Sequence, residues 1–410
     1  MAPAGELRAA YPDAVEERLD GAILAPGFVD AHCHLEWALA GGLAPGGEFG
    51  RWLGAFLAAV GDTGPEFTAA AADAGALSAL RAGTTTLWDS GPTGVGAAAM
   101  CRVGVTGISC VEVFGTGGPE SVGPALERLS WGLDRAREGG GGGVEVGIAP
   151  HAPYTVGPHL WEALIADDHL ARLVWTTHLA ESAAELTAVR GDGGPIAEAF
   201  AGRYGPPAVW PGRVDAGVVS RLANAGALRS RMIAAHCVGL ATGEADLLAE
   251  AGVAVAHCPI SNAYLGCGVA SLSGLRDAGV RVGLGTDSPA SAGSYDVRAE
   301  ARACGLVQAA TGHHVTSAEL VRLATLGGAE ALSRDHEIGT ITAGKRAHLV
   351  AITPPPHLAG ADPHRALLDS EAAVTDVWVD GHRRIAAGIA REVDVAAISG
   401  RAIEARTAVC

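Results

Sequence analysis

Short apolar runs that end in polar residues recur eight times along the chain. They are Ile23–His34, Thr84–Asp89, Val105–Phe114, Val144–Pro150, Leu173–His178, Met232–Cys237, Val253–His257 and Val280–Asp287. Each is rich in apolar or β-branched residues and is bounded by turn residues or by helical spacing, which predicts a strand. Between them, Glu66–Arg81 follows Pro65, a good first-turn residue, and Gly243–Ala251 and Leu272–Ala278 carry apolar residues at helical intervals. Strands alternating with helices predict an α/β fold with a parallel sheet, closed as a (β/α)8 barrel of the TIM type. An open doubly wound sheet is the alternative, weakened by the lack of a G-x-G-x-x-G after the first strand. The run Gly139–Gly143 precedes a strand and lacks a following Lys-Ser/Thr, so it reads as a flexible connection rather than a phosphate loop.

Beyond the eighth strand, Thr316-Ser-Ala-Glu319 has the spacing of a capping box and leads into Leu320, Val321, Leu323 and Leu326. The pattern then changes. Ile338–Ile341, His348–Ile352 and Val374–Ile385 read as strands, with Asp380-Gly381 as a hairpin turn. A small β domain built mainly from the C-terminal segment is therefore expected, with one or two strands from the short N-terminal segment. The predicted division is 1–24 and 335–410 for the two parts of that domain and 25–334 for the barrel.

Composition narrows the chemistry. With 49% hydrophobic and 18% charged residues among 410, the chain can build a large core. A formal charge of -16 argues against a nucleic-acid backbone or an anionic membrane as partner. The longest charge-free run, 251–275, contains His257, Pro259, Ser261 and Asn262 and does not read as a membrane span. Eight cysteines without a C-x-x-C pair do not make a disulfide framework, and no basic-then-apolar leader follows Met1; a cytoplasmic location is expected. The only lysine is Lys345. No P-loop lysine, and no carbamylated lysine bridging two metals within the barrel, is available.

In a barrel, catalytic groups come from the C-terminal ends of strands. His32 and His34 end the first run, and their period-two spacing points both imidazoles the same way. His151 follows the fourth run, His178 ends the fifth, His236 the sixth, His257 the seventh and Asp287 the eighth. One strand-end histidine is an ordinary polar residue; histidines on five strands together with an aspartate predict a metal site. We assign His32, His34, His178 and Asp287 as ligands of one divalent ion, a mixed N/O set that suits Zn2+, with Fe2+ as the alternative. The open position would take a water whose pKa the ion lowers toward about 7. Glu181 is placed to carry a proton from that water to the substrate, and His236 to orient or polarise the attacking group. Asp287 could both ligate and accept a proton. His151 is either a substrate contact or a structural support, and His257 lies behind the ligands. His313 and His314 precede a capped helix and read as surface. Trp37, Trp52, Phe56 and Trp88 either stack on an aromatic substrate or belong to the core.

The sequence resembles the amidohydrolase superfamily, in its mononuclear cytosine-deaminase-like branch. The matching stretches are PGFVDAHCHLE (Pro26–Glu36), HAPYT (His151–Thr155), HLAE (His178–Glu181), AHCV (Ala235–Val238), CPISNAYLGCG (Cys258–Gly268) and GTDSPAS (Gly285–Ser291). The tail, with GTITAGKRAHLV and VWVDGHRR, resembles the family's closing β-sandwich. The resemblance implies hydrolysis at an amidine-like or amide carbon, with ammonia the usual leaving group, and the residue roles just given. His34-Leu-Glu-Trp37, HLAES with Glu185, and GTDSPAS look most like aminodeoxyfutalosine deaminases, which convert a 6-aminopurine nucleoside to its 6-oxo product. Methylthioadenosine and S-adenosylhomocysteine deaminases share most of these motifs, and guanine deaminases and triazine chlorohydrolases are more distant siblings. The expected partner is thus a small nucleoside touching His151, Trp37, Trp88 and Ser288, and homodimers are common in the family. Three departures stand out: Gly239 where many relatives carry a histidine, Ser288-Pro289 in place of Gly-Ala, and His348 in place of an aspartate.

Overall fold

A computed structural model describes residues 3–61, 63–200 and 205–409. Its strands are β1 (Ile23–Pro26), β2 (Phe28–Cys33), β3 (Thr84–Gly91), β4 (Thr106–Val113), β5 (Val144–Pro150), β6 (Trp175–Leu179), β7 (Met232–His236), β8 (Ala254–His257) and β9 (Val282–Leu284), followed by β10 (Leu349–Thr353), β11 (Ala373–Val379), β12 (His382–Ala386) and β13 (Ile389–Ala390). β2 to β9 are hydrogen-bonded in sequence order and parallel throughout, with helices on the connections. They form a (β/α)8 barrel.

The barrel closes through side chains and single bridges rather than a full ladder. Cys33 pairs with Asp287. The Asp287 N–H donates to the His32 carbonyl at 2.9 Å, and the His34 N–H to the Asp287 carbonyl at 2.9 Å. Beneath them the buried Asp30 carboxylate accepts from the Thr286 amide at 3.0 Å and from the Thr286 hydroxyl at 2.5 Å. This seam places the His32/His34 strand end beside Asp287.

Two large buried clusters fill the fold, beside a small third one of Ala40, Val60 and Ala290. The larger lies mostly between strands and helices. The second draws Val29, Ala31, Trp88, Ile108, Cys110, Ala149, Ile233, Ala254 and Ala256 from strands around the barrel, and so packs its interior.

The predicted run Ile23–His34 is two strands in two different sheets. The break is Gly27, where a Cβ would lie 2.3 Å from both Thr85 Cγ2 and Oγ1 and 2.9 Å from Thr85 Cβ. Only hydrogen fits as the chain turns from one sheet into the other. We expect Gly27→Ala to destabilise the protein by about 1–3 kcal/mol through overpacking, read as a lowered Tm.

The small β domain is a five-stranded antiparallel sheet, ordered β1-β10-β11-β12-β13, with four strands from the C-terminal segment. Asp380 and Gly381, with φ of 52° and 78°, form the hairpin turn between β11 and β12. Ile338–Ile341 is not a strand. Ile338 is buried against the barrel-interior cluster, Gly339 has φ 86°, and the Lys345 ammonium donates to the Ile338 carbonyl at 3.1 Å, so the segment is a turn. The helix Val395–Thr407 buries only Ile398, which leaves no apolar stripe to read in sequence. Polar contacts dock it: Arg401 on Asp73 at 2.9 Å, and Arg406 on the carbonyls of Leu39 and Gly41 at 2.8 and 3.0 Å. Among the described residues no helix is long and apolar enough to cross a membrane, and the seven described cysteines are free.

Candidate active site

The C-terminal ends of the barrel strands bring six of the expected residues together. His32, His34, His178, His236, Glu181 and Asp287 are all buried. The backbone there is strained. Of nine non-glycine residues with positive φ among the described residues, four sit at these strand ends: Ala180 (50°), His236 (75°), Cys237 (48°) and Asp287 (55°). Left-handed backbone at non-glycine residues persists only where surrounding contacts hold it, and it clusters at functional sites.

His32, His34 and His178 place one ring nitrogen each within 4.8 Å of one another. The remaining nitrogens test whether this group fits a cation. His34 Nδ1 lies 2.9 Å from the Ser90 carbonyl, and His178 Nδ1 lies 2.7 Å from the His151 carbonyl. A carbonyl only accepts, so both Nδ1 atoms carry hydrogen. In the neutral rings both Nε2 atoms are then bare lone pairs, and they face each other at 3.0 Å. Two lone pairs at that distance repel unless positive charge lies between or beside them. Among the described residues both ring nitrogens of His32 are buried without a partner, so this ring has a lone pair to offer a cation. The field agrees. Burial pulls the His34 imidazole down, but Glu112, Asp287 and Asp89 outweigh it and lift it to about 9. Burial and the neighbouring imidazoles push His32 and His178 well below the usual range. In this field His34 favours its protonated form and His32 and His178 their neutral ones. Carbonyl acceptors behind two of the rings are the usual support of metal-ligating histidines. The group therefore suits a divalent metal ion.

Asp287 completes the arrangement. Its Oδ2 accepts from the Ser261 and Ser291 hydroxyls, both at 2.6 Å, while Oδ1 stands 3.5 Å from His34 Nε2. Burial raises its carboxyl, but His34, His236 and the two hydroxyls hold it below the usual carboxylate range.

Proton-handling groups lie alongside. His236 Nδ1 donates to Asn262 Oδ1 at 2.9 Å, which leaves Nε2 as an unpartnered acceptor. That nitrogen is 3.7 Å from Glu181 Oε1. Burial, Asp287 and Glu185 push the Glu181 carboxyl well above its ordinary value, which favours its protonated form. A carboxyl biased toward its protonated form beside a bare imidazole nitrogen is equipped for acid–base work.

A cavity opens over these groups, walled by Trp37, Phe49, Trp52, Phe56 and Tyr154, with polar lining from Glu112, His151, Glu181, Asp287 and Ser288. Trp37 and Trp52 both pack on Phe56, with ring centroids 5.5 and 5.1 Å apart. His151 bonds Thr155 through Nδ1 at 2.9 Å and lies 4.6 Å, ring to ring, from His178. Trp88 is elsewhere. It is 2% exposed in the barrel-interior cluster, packed with Ile108, Cys110 and Ala149, so it is core and not a substrate contact. His257 lies behind His236, both its nitrogens without partners, and burial and His236 lower it to about 4. His313 and His314 are exposed.

Sequence reasoning missed Glu112, Asn262, Ser261 and Ser291. Glu112 had a visible signal: a lone acid in the apolar strand VEVF, one residue before the strand's end. Its Oε1 stands 3.3 Å from His34 Nδ1. The segment 185–213 after the fifth predicted strand, which the sequence offers as a specificity loop, lies partly outside the described residues, at 201–204.

Residues 23–384 match the Amidohydrolase family. A 5-methylthioadenosine/S-adenosylhomocysteine deaminase of Desulforudis audaxviator is 31% identical over 379 residues, spanning 90% of this chain and 83% of that protein. An adenosine deaminase structure from Xanthomonas campestris with bound zinc superposes with a TM-score of 0.78 at 29% identity, covering 95% of this chain and 86% of that one. The Helicobacter pylori aminofutalosine deaminase, in complex with methylthio-coformycin, gives a TM-score of 0.77 at 21% identity over 94% of this chain and 92% of that one; this is a likeness of fold.

Proposed function

Because the chain belongs to the amidohydrolase family, we propose that it is a metal-dependent hydrolytic deaminase of a 6-aminopurine nucleoside, releasing ammonia and the 6-oxo product. The observation that carries this reading is the pair of facing His34 and His178 lone pairs, set beside the buried Glu181 carboxyl at the floor of an aromatic-walled cavity. His32, His34, His178 and Asp287 would hold the ion, Zn2+ first and Fe2+ second. A bound ion of this kind supplies Lewis acidity and activates water near neutral pH.

The chain's own residues supply the rest. Glu181 holds a proton on its carboxyl and passes it to the ring nitrogen beside the 6-amino carbon, which makes that carbon electrophilic. His236, fixed through Nδ1 by Asn262, turns its bare Nε2 to the attacking group. Asp287, anchored by Ser261 and Ser291, takes up the proton released on attack and returns it to the amino group, which leaves as ammonia as the C–N bond breaks, while the hydroxyl proton of the new 6-oxo group restores Glu181. Trp37 offers a face for the purine, and His151 and Ser288 offer polar contacts at the cavity wall. The hydrolase unit is the segment 25–334, and the setting is cytoplasmic.

Within that class the motifs HLEW, HLAES and GTDSPAS favour aminodeoxyfutalosine. The Desulforudis audaxviator relative supports a second reading, 5-methylthioadenosine or S-adenosylhomocysteine. A panel of these nucleosides and adenosine, followed for 6-amino to 6-oxo conversion and ammonia, is expected to show turnover of at least one. Inactivity on all of them, with activity on guanine or an s-triazine, would overturn the reading. Sedimentation of the same protein tests the homodimer that the family resemblance implies.

A further inference from the structure

Glu185 is a buried carboxylate that neither the histidine cluster nor the cavity wall uses. It lies three residues after Ser182, the N-cap of the helix Ala183–Arg190, so Ser182-Ala-Ala-Glu185 has the spacing of a capping box. In an ordinary box the glutamate reaches back to the N-cap amide. Here Glu185 is fully buried, and its Oε2 reaches past the cap to accept from the amide of Glu181 at 2.7 Å, one residue before it. The other oxygen, Oε1, has no hydrogen-bond partner among the described residues. Burial raises its carboxyl to about 8, against the pull of the amides of Glu181, Ala180 and Ser182, which all face it.

The turn gripped in this way is a strained one. Ala180 has φ 50°, a left-handed conformation that the Cβ of an alanine disfavours. Its carbonyl accepts from the Gly239 N–H at 2.7 Å, and so ties the turn to the loop that follows His236. The peptide that carries Glu181 is therefore fixed from two sides: by Glu185 from its own helix, and by the His236 loop from the next strand.

We propose that Glu185 is a positioning residue: by holding the Glu181 amide it keeps the strained turn in place and sets the Glu181 carboxyl against His236 Nε2. This rests on the reading of Glu181 as the proton carrier. A glutamate that only capped the helix would reach no further than the N-cap amide, whereas Glu185 also holds the amide of Glu181.

The test compares Glu185→Ala, Glu185→Gln and Ser182→Ala in metal-replete protein, on whichever nucleoside the parent converts. Glu185→Ala is expected to lower kcat by about 10- to 100-fold with KM within about twofold, because a small misplacement of a reacting group is costly. Metal content stays at the parental level. Glu185→Gln, whose amide oxygen still accepts from the Glu181 N–H, recovers most of kcat. Ser182→Ala removes the cap, lowers Tm and leaves kcat near the parental value. If the alanine variant does not fold, Glu185→Asp, one methylene too short, shows the same loss of kcat. Hydrogen exchange across 179–183 is read in the same samples and needs no substrate: Glu185→Ala accelerates it and Ser182→Ala does not. A Glu185→Ala kcat within about twofold of the parent, equal losses in all three variants, or unchanged exchange in 179–183 would each overturn the proposal. A parent that converts no nucleoside counts against the functional reading alone, and the exchange measurement then decides the positioning role.

Discussion

Glu181→Gln is expected to lower kcat by about 10²- to 10⁴-fold while leaving the metal content unchanged. The amide keeps the shape of the carboxyl and both polar atoms, so packing around a residue 4% exposed is little disturbed. What it loses is a proton that can leave. Glu181 approaches His236 Nε2 at 3.7 Å and is not one of the residues that cluster as an ion site. The loss should therefore fall on the chemical step and not on ion binding. Single-turnover kinetics with metal analysis of the same sample check it. A variant that keeps kcat within about threefold of the parent would remove Glu181 from the mechanism.

Removing the metal is expected to abolish turnover altogether, and zinc should restore it. His178→Ala should reproduce the chelated state and resist rescue. The physical reason is the 3.0 Å approach of His34 Nε2 and His178 Nε2, an arrangement that stands only with positive charge shared between the rings. Without an ion, a proton on His34 does that work, since its neighbours hold it at about 9. Ion binding must then displace that proton, so zinc affinity should weaken as pH falls below about 9. The ion also stabilises the fold by mass action, by about 4 kcal/mol at a thousandfold excess over Kd. Thermal unfolding with and without zinc reads this term alongside activity. Full turnover by protein stripped of metal would end the metal-dependent reading.

Much of the site was legible because it follows barrel logic. Period-two spacing put His32 and His34 on one side of β2, and polar residues at strand ends marked His178, His236 and Asp287. The less legible features depend on contacts between distant segments. Gly27 divides an apparently continuous strand because Thr85, 58 positions on, leaves no room for a Cβ. Trp88 follows the same turn-bounded pattern as the pocket residues, but it faces the barrel interior. Glu112 matters through His34, 78 positions before it, and Asn262 through His236. The C-terminal helix is held by Arg401 and Arg406 rather than by an apolar stripe, so its periodicity carried no signal. Lys345, alone of its kind, spends its ammonium on the carbonyls of Asp335 and Ile338, away from the strand ends.

The seam between β2 and β9 has a consequence for the order of folding. Asp30 and Thr286 meet across 256 positions of sequence, the span of almost the whole barrel. Contacts of such separation carry a large loop-closure cost and form late. Neighbouring strands can pair as they emerge, and β6 and β7 can bring His178 and His236 together early. His32 and His34 meet Asp287 only when the first strand finds the last. The ion site is thus assembled by ring closure itself, and an ion that demands all its ligands would recognise only chains that have completed the circle.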